Sequence, residues 1–350
     1  MALAYFSAVL IFIGRWRHAC FFVSNPRCRP NKDVELLFMR VSSGIKKIVK
    51  NPYYIVSVLN TFRLLNWMPD KMFVKLRYRA HMGKRLNLRK PMLFSEKLQW
   101  LKLYNRNPEH SRIVDKYEAR GYIEEQIGEG YLTPLLGVWN RFDDIDFSTL
   151  PDRFVLKCTH DSGGLVFCTD KSIFDFSAAK KKLEKCLNRN YYWVDREYPY
   201  KYLKPRIICE QFMVDERGLE LKDYKVYCLN GIPRFIQVSF NRSTEHTISF
   251  FDLEWNLIPL KLVGYAGKHP MTISKPRQFD EMIELSKTFS KEHAFLRVDF
   301  YCVYDKLYIG ELTFFPAAGF MNLEPPEYDG LFGNLLELPN DNEEGRRCRL

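Results

Sequence analysis

At Arg153 the hydrophobic pattern of the chain changes period, and this constrains the fold more than any other feature. Before that point apolar residues recur at helical spacing. After it they alternate, as they do where successive side chains point to opposite faces of a sheet. Strands are predicted at Phe154–Thr159, Leu165–Cys168, Arg206–Phe212, Asp223–Leu229, Arg234–Val238, His246–Phe251, Leu296–Val303 and Lys306–Phe314. Helices are predicted among them at Ser177–Asn188 and Phe279–His293. Strands and helices in mixed order imply an α+β (mixed α/β) body with antiparallel sheets. Upstream, a helix is expected to start at Ser95, with Leu98, Trp100 and Leu101 on its apolar side, and a second to cover Ser111–Ile127. A turn-rich stretch, Gly137–Pro151, then leads into the strands. This divides the chain into a basic, mostly helical N-terminal region (1–90), a helical lead-in (91–150), the sheet body (151–335) and a polar tail (336–350).

Charge supports that division. Residues 1–90 hold 18 Lys/Arg and 3 Asp/Glu, whereas the other 260 hold 35 and 39, so the net +11 belongs to the N-terminal region. Such a region suits an anionic membrane surface, an anionic polysaccharide or nucleic acid, and equally a solvated basic face packed on the body. With 46% apolar and 27% charged residues, the chain is not a long disordered one. Its nine cysteines show no CxxC pair, and Cys158, Cys209, Cys228 and Cys302 fall inside apolar strand-like runs. Cysteines so placed act as small core hydrophobes, which points to a reducing, cytoplasmic compartment without a disulfide framework or a zinc site. The apolar run Met1–Ile13 ends at Arg15 and Arg17. It is too short for a bilayer-spanning helix and lacks the basic start of a signal peptide, leaving a peripheral anchor open.

The chemistry concentrates in three segments. The first, from Arg297 to Thr313, reads as a hairpin turning near Asp305. Asp299 and Glu311 are equidistant from that turn, as are Arg297 and Thr313, so all four belong to one face. Directly opposed residues lie roughly 4.5–5.5 Å apart at Cβ, where two carboxylates repel. A bound Mg²⁺ would reverse that cost; neutralisation by Arg297 or Lys306 would also relieve it. The second segment is Phe154–Gly164, where Lys157 interrupts an apolar strand and needs an anion or water. The turn Asp161-Ser162-Gly163-Gly164 follows, and its backbone N–H groups can approach phosphates, although a plain connecting turn is the commoner case. The third runs from Ile207 to Tyr227. Glu210 closes an apolar strand, and Asp223 and Lys225 share a strand face, where an exposed mutual ion pair is the ordinary expectation. Arg242 follows a further strand and could add a phosphate contact. His160 invites a general-base reading, and Asp144-x-Asp146 that of a metal-dependent glycosyltransferase; a loop histidine and an acidic turn are the plainer alternatives.

Lys157 with its Ser-Gly-Gly turn, then Glu210-Gln-Phe, Asp223-Tyr-Lys, Asp299 and Glu311 stand in this order, alongside six quotable stretches: FSEKLQWLKLYNR from Phe94, DKYEARGYI from Asp115, FVLKCTHDSGG from Phe154, DYKVYCLNG from Asp223, RVDFY from Arg297 and GELTFFPAAGF from Gly310. Together they make the chain resemble the TupA-like branch of the ATP-grasp enzymes, associated with teichuronopeptide and other surface-polysaccharide biosynthesis. The resemblance covers about residues 90–335. It implies an ATP-grasp fold, ATP and Mg²⁺, and ligation of a carboxylate to an amine through an acylphosphate. The implied partners are a small-molecule or glycan acceptor bearing the carboxylate and an amine donor, with peripheral membrane association through the basic region and no nucleic acid. A glycosyltransferase of capsular polysaccharide synthesis, or an inactive binding protein of the same fold, are the alternatives. Carried over residue by residue, Lys157 would contact the α-phosphate and adenine side, and Ser162, Gly163 and Gly164 would cover the phosphates. Glu210 and the backbone at Phe212 would hold the adenine. Asp223 would face the ribose and Lys225 the phosphates, while Asp299 and Glu311 would ligate Mg²⁺. Lys157, Lys225 and Arg297 are the candidate catalytic cations. One position departs from the pattern, because many members carry Asn two residues after the metal Glu and this chain has Thr313.

Overall fold

The computed structural model describes residues 51–214, 221–240, 246–265 and 273–339. The apolar run Met1–Ile13, Arg242 and the tail from Asn340 lie outside the described residues. The described residues from Val56 onward belong to one compact unit, which holds every described element except the first two residues of the first helix.

In chain order the elements are α1 (Tyr54–Thr61), α2 (Asp70–Met82), α3 (Phe94–Tyr104), α4 (Glu109–Val114), α5 (Glu118–Ile127), β1 (Leu135–Trp139), β2 (Phe154–Cys158), β3 (Leu165–Cys168), α6 (Phe176–Leu187), α7 (Tyr192–Asp195), β4 (Ile207–Gln211), β5 (Asp223–Leu229), β6 (Ile232–Phe240), β7 (Thr247–Phe251), β8 (Leu257–Ile258), β9 (Lys261–Leu262), α8 (Phe279–Ser290), β10 (Phe295–Val303), β11 (Lys306–Thr313), β12 (Leu323–Glu324) and α9 (Glu327–Leu335). The fold is the mixed α+β arrangement expected, with three sheets among the described residues, whose strand pairs are all antiparallel. One sheet has four strands in the order β1-β4-β2-β3, one has six in the order β11-β10-β5-β6-β7-β8, and β9 and β12 form a pair. Each larger sheet has its own core. Phe154, Leu156, Ile207 and Cys209 of the smaller sheet pack with Ala179, Leu183 and Cys186 of α6. Tyr224, Val226, Val298 and Phe300 of the larger sheet pack with Met282, Ile283 and Phe289 of α8.

Several elements differ from the sequence reading, each for a local reason. The helix expected over Ser111–Ile127 is two helices, because the Asp115 carboxylate accepts the N–H groups of Tyr117 (2.9 Å) and Glu118 (3.1 Å) and so starts α5 afresh. Between them the Lys116 N–H is drawn to the Thr159 carbonyl (3.0 Å). α3 begins at Phe94, and Ser95 does not cap it. Glu96 accepts the N–H groups of Met92 (3.0 Å) and Leu93 (3.2 Å), while Asp329 from α9 takes the Ser95 N–H and hydroxyl (both 2.8 Å). The turn-rich stretch hides β1, whose Leu135–Trp139 pairs with β4. Cys158, Cys209 and Cys228 are buried and Cys302 half-buried, as small hydrophobes in the strands. No helix among the described residues is long and apolar enough to cross a membrane.

Candidate active site

A cavity of about 510 Å³ lies where residues of the four-stranded and six-stranded sheets converge. That volume suits a ligand of cofactor size. Its floor on the larger sheet is a row of side chains in register across four strands. Glu311 of β11 faces Asp299 of β10, Asp299 faces Lys225 of β5, and Lys225 faces Gln237 of β6.

The Asp299–Glu311 pairing follows the sequence spacing, but the hairpin reaches it in another way. Val303 pairs with Lys306, so the turn is the two residues Tyr304 and Asp305, with Tyr304 in the left-handed region (φ 54°). That turn alone would set Asp299 opposite Gly310. A bulge between Asp299 and Phe300 leaves Gly310 unpaired and brings Glu311 into line. Gly310 is required there, since a Cβ would sit 2.5 Å from the Tyr301 ring.

Charge in this row is compensated in a fixed pattern. Arg297 grips Asp299 with two hydrogen bonds, Nε to Oδ1 (2.6 Å) and a terminal nitrogen to Oδ2 (2.7 Å), and also donates to the Thr313 hydroxyl (3.1 Å). Lys225 Nζ donates to Asp223 (2.6 Å) and to Asp299. Burial opposes ionisation of Asp299, but Arg297 and Lys225 outweigh it and hold the carboxyl below its ordinary range. Burial likewise disfavours charge on Arg297, and the Asp299 carboxylate reverses this and raises its pKa. Thr313 is thereby engaged as a support for Arg297.

The opposite wall comes from the smaller sheet. Lys157 of β2 ion-pairs with Glu210 of β4, which also accepts from Arg120 of α5 (3.2 Å). Arg120 donates in addition to the Thr133 carbonyl (2.9 Å). The turn after β2 is closely held. Asp161 accepts the Gly164 N–H (3.2 Å) and pairs with Arg189 (2.9 Å), and Lys116 donates to the Asp161 carbonyl (2.6 Å). Ser162 and Gly163 form its exposed tip, with Gly163 at φ 110°, where glycine carries no steric penalty.

Lys157, Ser162, Gly163, Gly164, Glu210, Asp223, Lys225, Arg297, Asp299 and Glu311 are thus brought to one cavity. Phe212 is not. β4 ends at Gln211, and the Phe212 ring packs under the Arg153 guanidinium (4.3 Å) and against Phe167, outside the lining. His160 is also outside; it is buried, with Nε2 3.1 Å from the Cys186 carbonyl, which removes it as a general base. Asp144 and Asp146 lie away from the cavity, and Asp146 is occupied by the Ser148 N–H (2.9 Å) and hydroxyl (2.6 Å). Sequence reasoning missed Lys116, Arg120 and Glu197, all of which line the cavity. The first two were visible as a basic pair four residues apart in DKYEARGYI, but the helix break between them was not.

The residues present fit the expected cation. Glu311 lines the cavity and makes no side-chain hydrogen bond or ion pair among the described residues, so its carboxylate is available. Beside it both oxygens of Asp299 already accept from Arg297 and Lys225, so a cation such as Mg²⁺, which takes one or two carboxylates, would meet Glu311 first and share Asp299 with them. Among the described residues no group of three or more His, Cys, Asp and Glu side chains could hold a metal.

The TupA-like ATPgrasp family model matches residues 96–337. No curated protein matches the chain. Among solved structures, D-alanine–D-alanine ligase of Bacillus anthracis complexed with ATP is similar at 11% identity and a TM-score of 0.33, over 62% of this chain and 55% of that one. The Helicobacter pylori D-alanine–D-alanine ligase is similar at 14% identity and a TM-score of 0.35, over 69% of each. The ATP-grasp ligase PsnB, complexed with a minimal precursor, Mg and ADP, is similar at 12% identity and a TM-score of 0.34, over 78% of this chain and 72% of that one.

Proposed function

This chain belongs to the TupA-like ATP-grasp family, and we propose from that premise that it is a MgATP-dependent ligase joining a carboxylate to an amine, with ADP and phosphate released. One observation carries the reading: the row Glu311–Asp299–Lys225 lies on the floor of a cavity that also holds Lys157, Arg297 and the Ser162–Gly164 turn. In this reading Glu210 and Lys157 would hold the base, Asp223 the ribose, and the Ser162–Gly164 turn the phosphates. Asp299 and Glu311 would hold Mg²⁺, which would neutralise phosphate charge. Lys225 is already poised by two carboxylates where negative charge must be met, and Arg297 fixes Asp299. Such preorganised charge stabilises phosphoryl transfer without reorganisation during the step. The substrate class suggested by the family is that of surface-glycan assembly, for example a uronic acid and an amino compound. Residues 1–90, with their excess of Lys and Arg, suit peripheral attachment to an anionic surface at the cytoplasmic face of a membrane.

Calorimetric titration of MgATP into the wild type and an Asp299→Asn/Glu311→Gln double variant tests the site. Binding by the wild type that is lost in the variant is expected. A folded wild type with no affinity for MgATP would overturn the reading and favour a nucleotide-independent role.

A further inference from the structure

Glu197 is a carboxylate in the cavity wall that makes no hydrogen bond or ion pair among the described residues, although it is only 5% exposed. It follows α7, which ends at Arg196 in the left-handed conformation (φ 60°, ψ 35°). That backbone is fixed from several sides. Arg196 is wholly buried, its guanidinium lies over Trp193 (4.3 Å) and Phe73 (4.4 Å), and it donates to the Leu65 carbonyl (2.8 Å). The chain reversal delivers Glu197 and Tyr200 to the cavity.

The other acidic residues of the lining do have partners, Glu311 excepted. Asp161 has Arg189 (2.9 Å), Asp195 has Arg77 (2.7 Å), Glu210 has Arg120 (3.2 Å), and Asp223 and Asp299 share Lys225. Lys102 is the cation that acts on Glu197 most strongly, but it gives its hydrogen bonds to Gln99 (2.8 Å) and the Ala318 carbonyl (2.6 Å). The Glu197 carboxylate therefore opens on the cavity with no donor from the described residues, and a ligand in the cavity can supply one. A ligand that brings positive charge and N–H groups would complement it. The flanking Tyr191 and Tyr200 rings, 5.0 Å apart at their centroids, add aromatic surface of the kind that attracts cations.

We infer that Glu197 anchors the primary ammonium group of the amine co-substrate, in a subsite beside the Asp299–Glu311 pair. The inference rests on the ligase reading above and adds to it which end of the cavity receives the amine. Glu197 and Glu311 line the same cavity, and the charge of Glu311 acts on Glu197, which places the ammonium subsite in one cavity with the Asp299–Glu311 pair. Burial pushes the Glu197 carboxyl up; Lys102 opposes this, and Asp195 and Glu311 add to it. A bound ammonium supplies the opposite charge that keeps the carboxylate ionised.

The test is calorimetry on the full chain saturated with Mg²⁺ and AMPPNP. L-Lysine and L-alanine represent amino acids, D-glucosamine represents amino sugars, and N-acetylglucosamine is the uncharged control. At least one of the amines is expected to bind, and the control is not. Glu197→Gln should weaken the amine roughly 10- to 100-fold, as for loss of one charge-assisted acceptor, with AMPPNP affinity retained. Glu197→Asp should recover part of the loss. Equal amine affinity in wild type and Glu197→Gln would overturn the assignment, as would a wild type that binds AMPPNP but none of the amines; the latter result needs no variant to fold. Failure of AMPPNP to bind at all would instead overturn the nucleotide reading, and the amine titrations then decide on Glu197 alone.

Discussion

Replacing Arg297 with Met isolates the electrostatics that hold the site together. The side chains of Asp299 and Arg297 are 3% and 12% exposed, so water screens their interaction little. Removing one partner of a buried pair typically costs about 3–5 kcal/mol, because the remaining charge is stranded. Here Lys225 still donates to Asp299, which places the expected loss near the lower end, about 3 kcal/mol at pH 7. Against a total stability of about 5–15 kcal/mol this is readily measured by urea unfolding. The double variant Arg297→Met/Asp299→Asn removes the stranded charge as well, and a coupling of about 1–3 kcal/mol should appear in the cycle. The pH dependence has a definite sign. Asp299 has a lowered pKa in the folded protein, so its stabilisation is complete above the unfolded value of about 3.9 and fades as pH falls through the folded value. Losing Arg297 leaves burial less opposed and raises the folded pKa, so the stability gap between wild type and variant should narrow below about pH 4. A variant within about 1 kcal/mol of wild type at pH 7, or a gap independent of pH, would refute the claim that Arg297 carries the charge of Asp299.

Three other contacts give measurable outcomes. Gly310→Ala would place a Cβ 2.5 Å from the Tyr301 ring and should cost about 1–3 kcal/mol in urea unfolding, as overpacking does; wild-type stability would show that glycine is not required at this position. Asp329→Ala removes the acceptor for the Ser95 N–H and hydroxyl at the start of α3 and should lose about 1–2 kcal/mol by thermal denaturation; an unchanged Tm would refute that capping role. Burial pushes the thiols of Cys209 and Cys228 up to about 12, and that of Cys158 up as well. These three should stay unmodified by a maleimide at pH 8 until the chain is unfolded, as read by mass spectrometry of its peptides; rapid native labelling would show that these strands open.

What the sequence settles by itself is periodic and local. Alternation fixes where strands lie and which face each side chain takes, so Asp223 with Lys225, and Arg297 with Asp299, are legible as same-face pairs. The spacing about the β10–β11 turn likewise puts Asp299 opposite Glu311, although a two-residue turn and a bulge at Gly310 produce that register together. Side chains on connecting segments obey no such rule. The sequence reading gives the backbone at Phe212 a place in the site, whereas Phe212 lies one residue beyond β4, outside the cavity lining, with its ring under Arg153. Arg120 reaches Glu210 across 90 residues, and Lys102 is buried in α3 to hold the Ala318 carbonyl 216 residues away. Glu197 is the clearest case. In the sequence it is one more acidic residue in an aromatic stretch, and only the packing around Arg196 turns it into the cavity and leaves it without a partner among the described residues. Hydrogen-bond satisfaction is a property of the surroundings in space. A chain can encode which face a residue occupies, but whether that residue is paired, buried or left for a ligand depends on elements that meet only after folding.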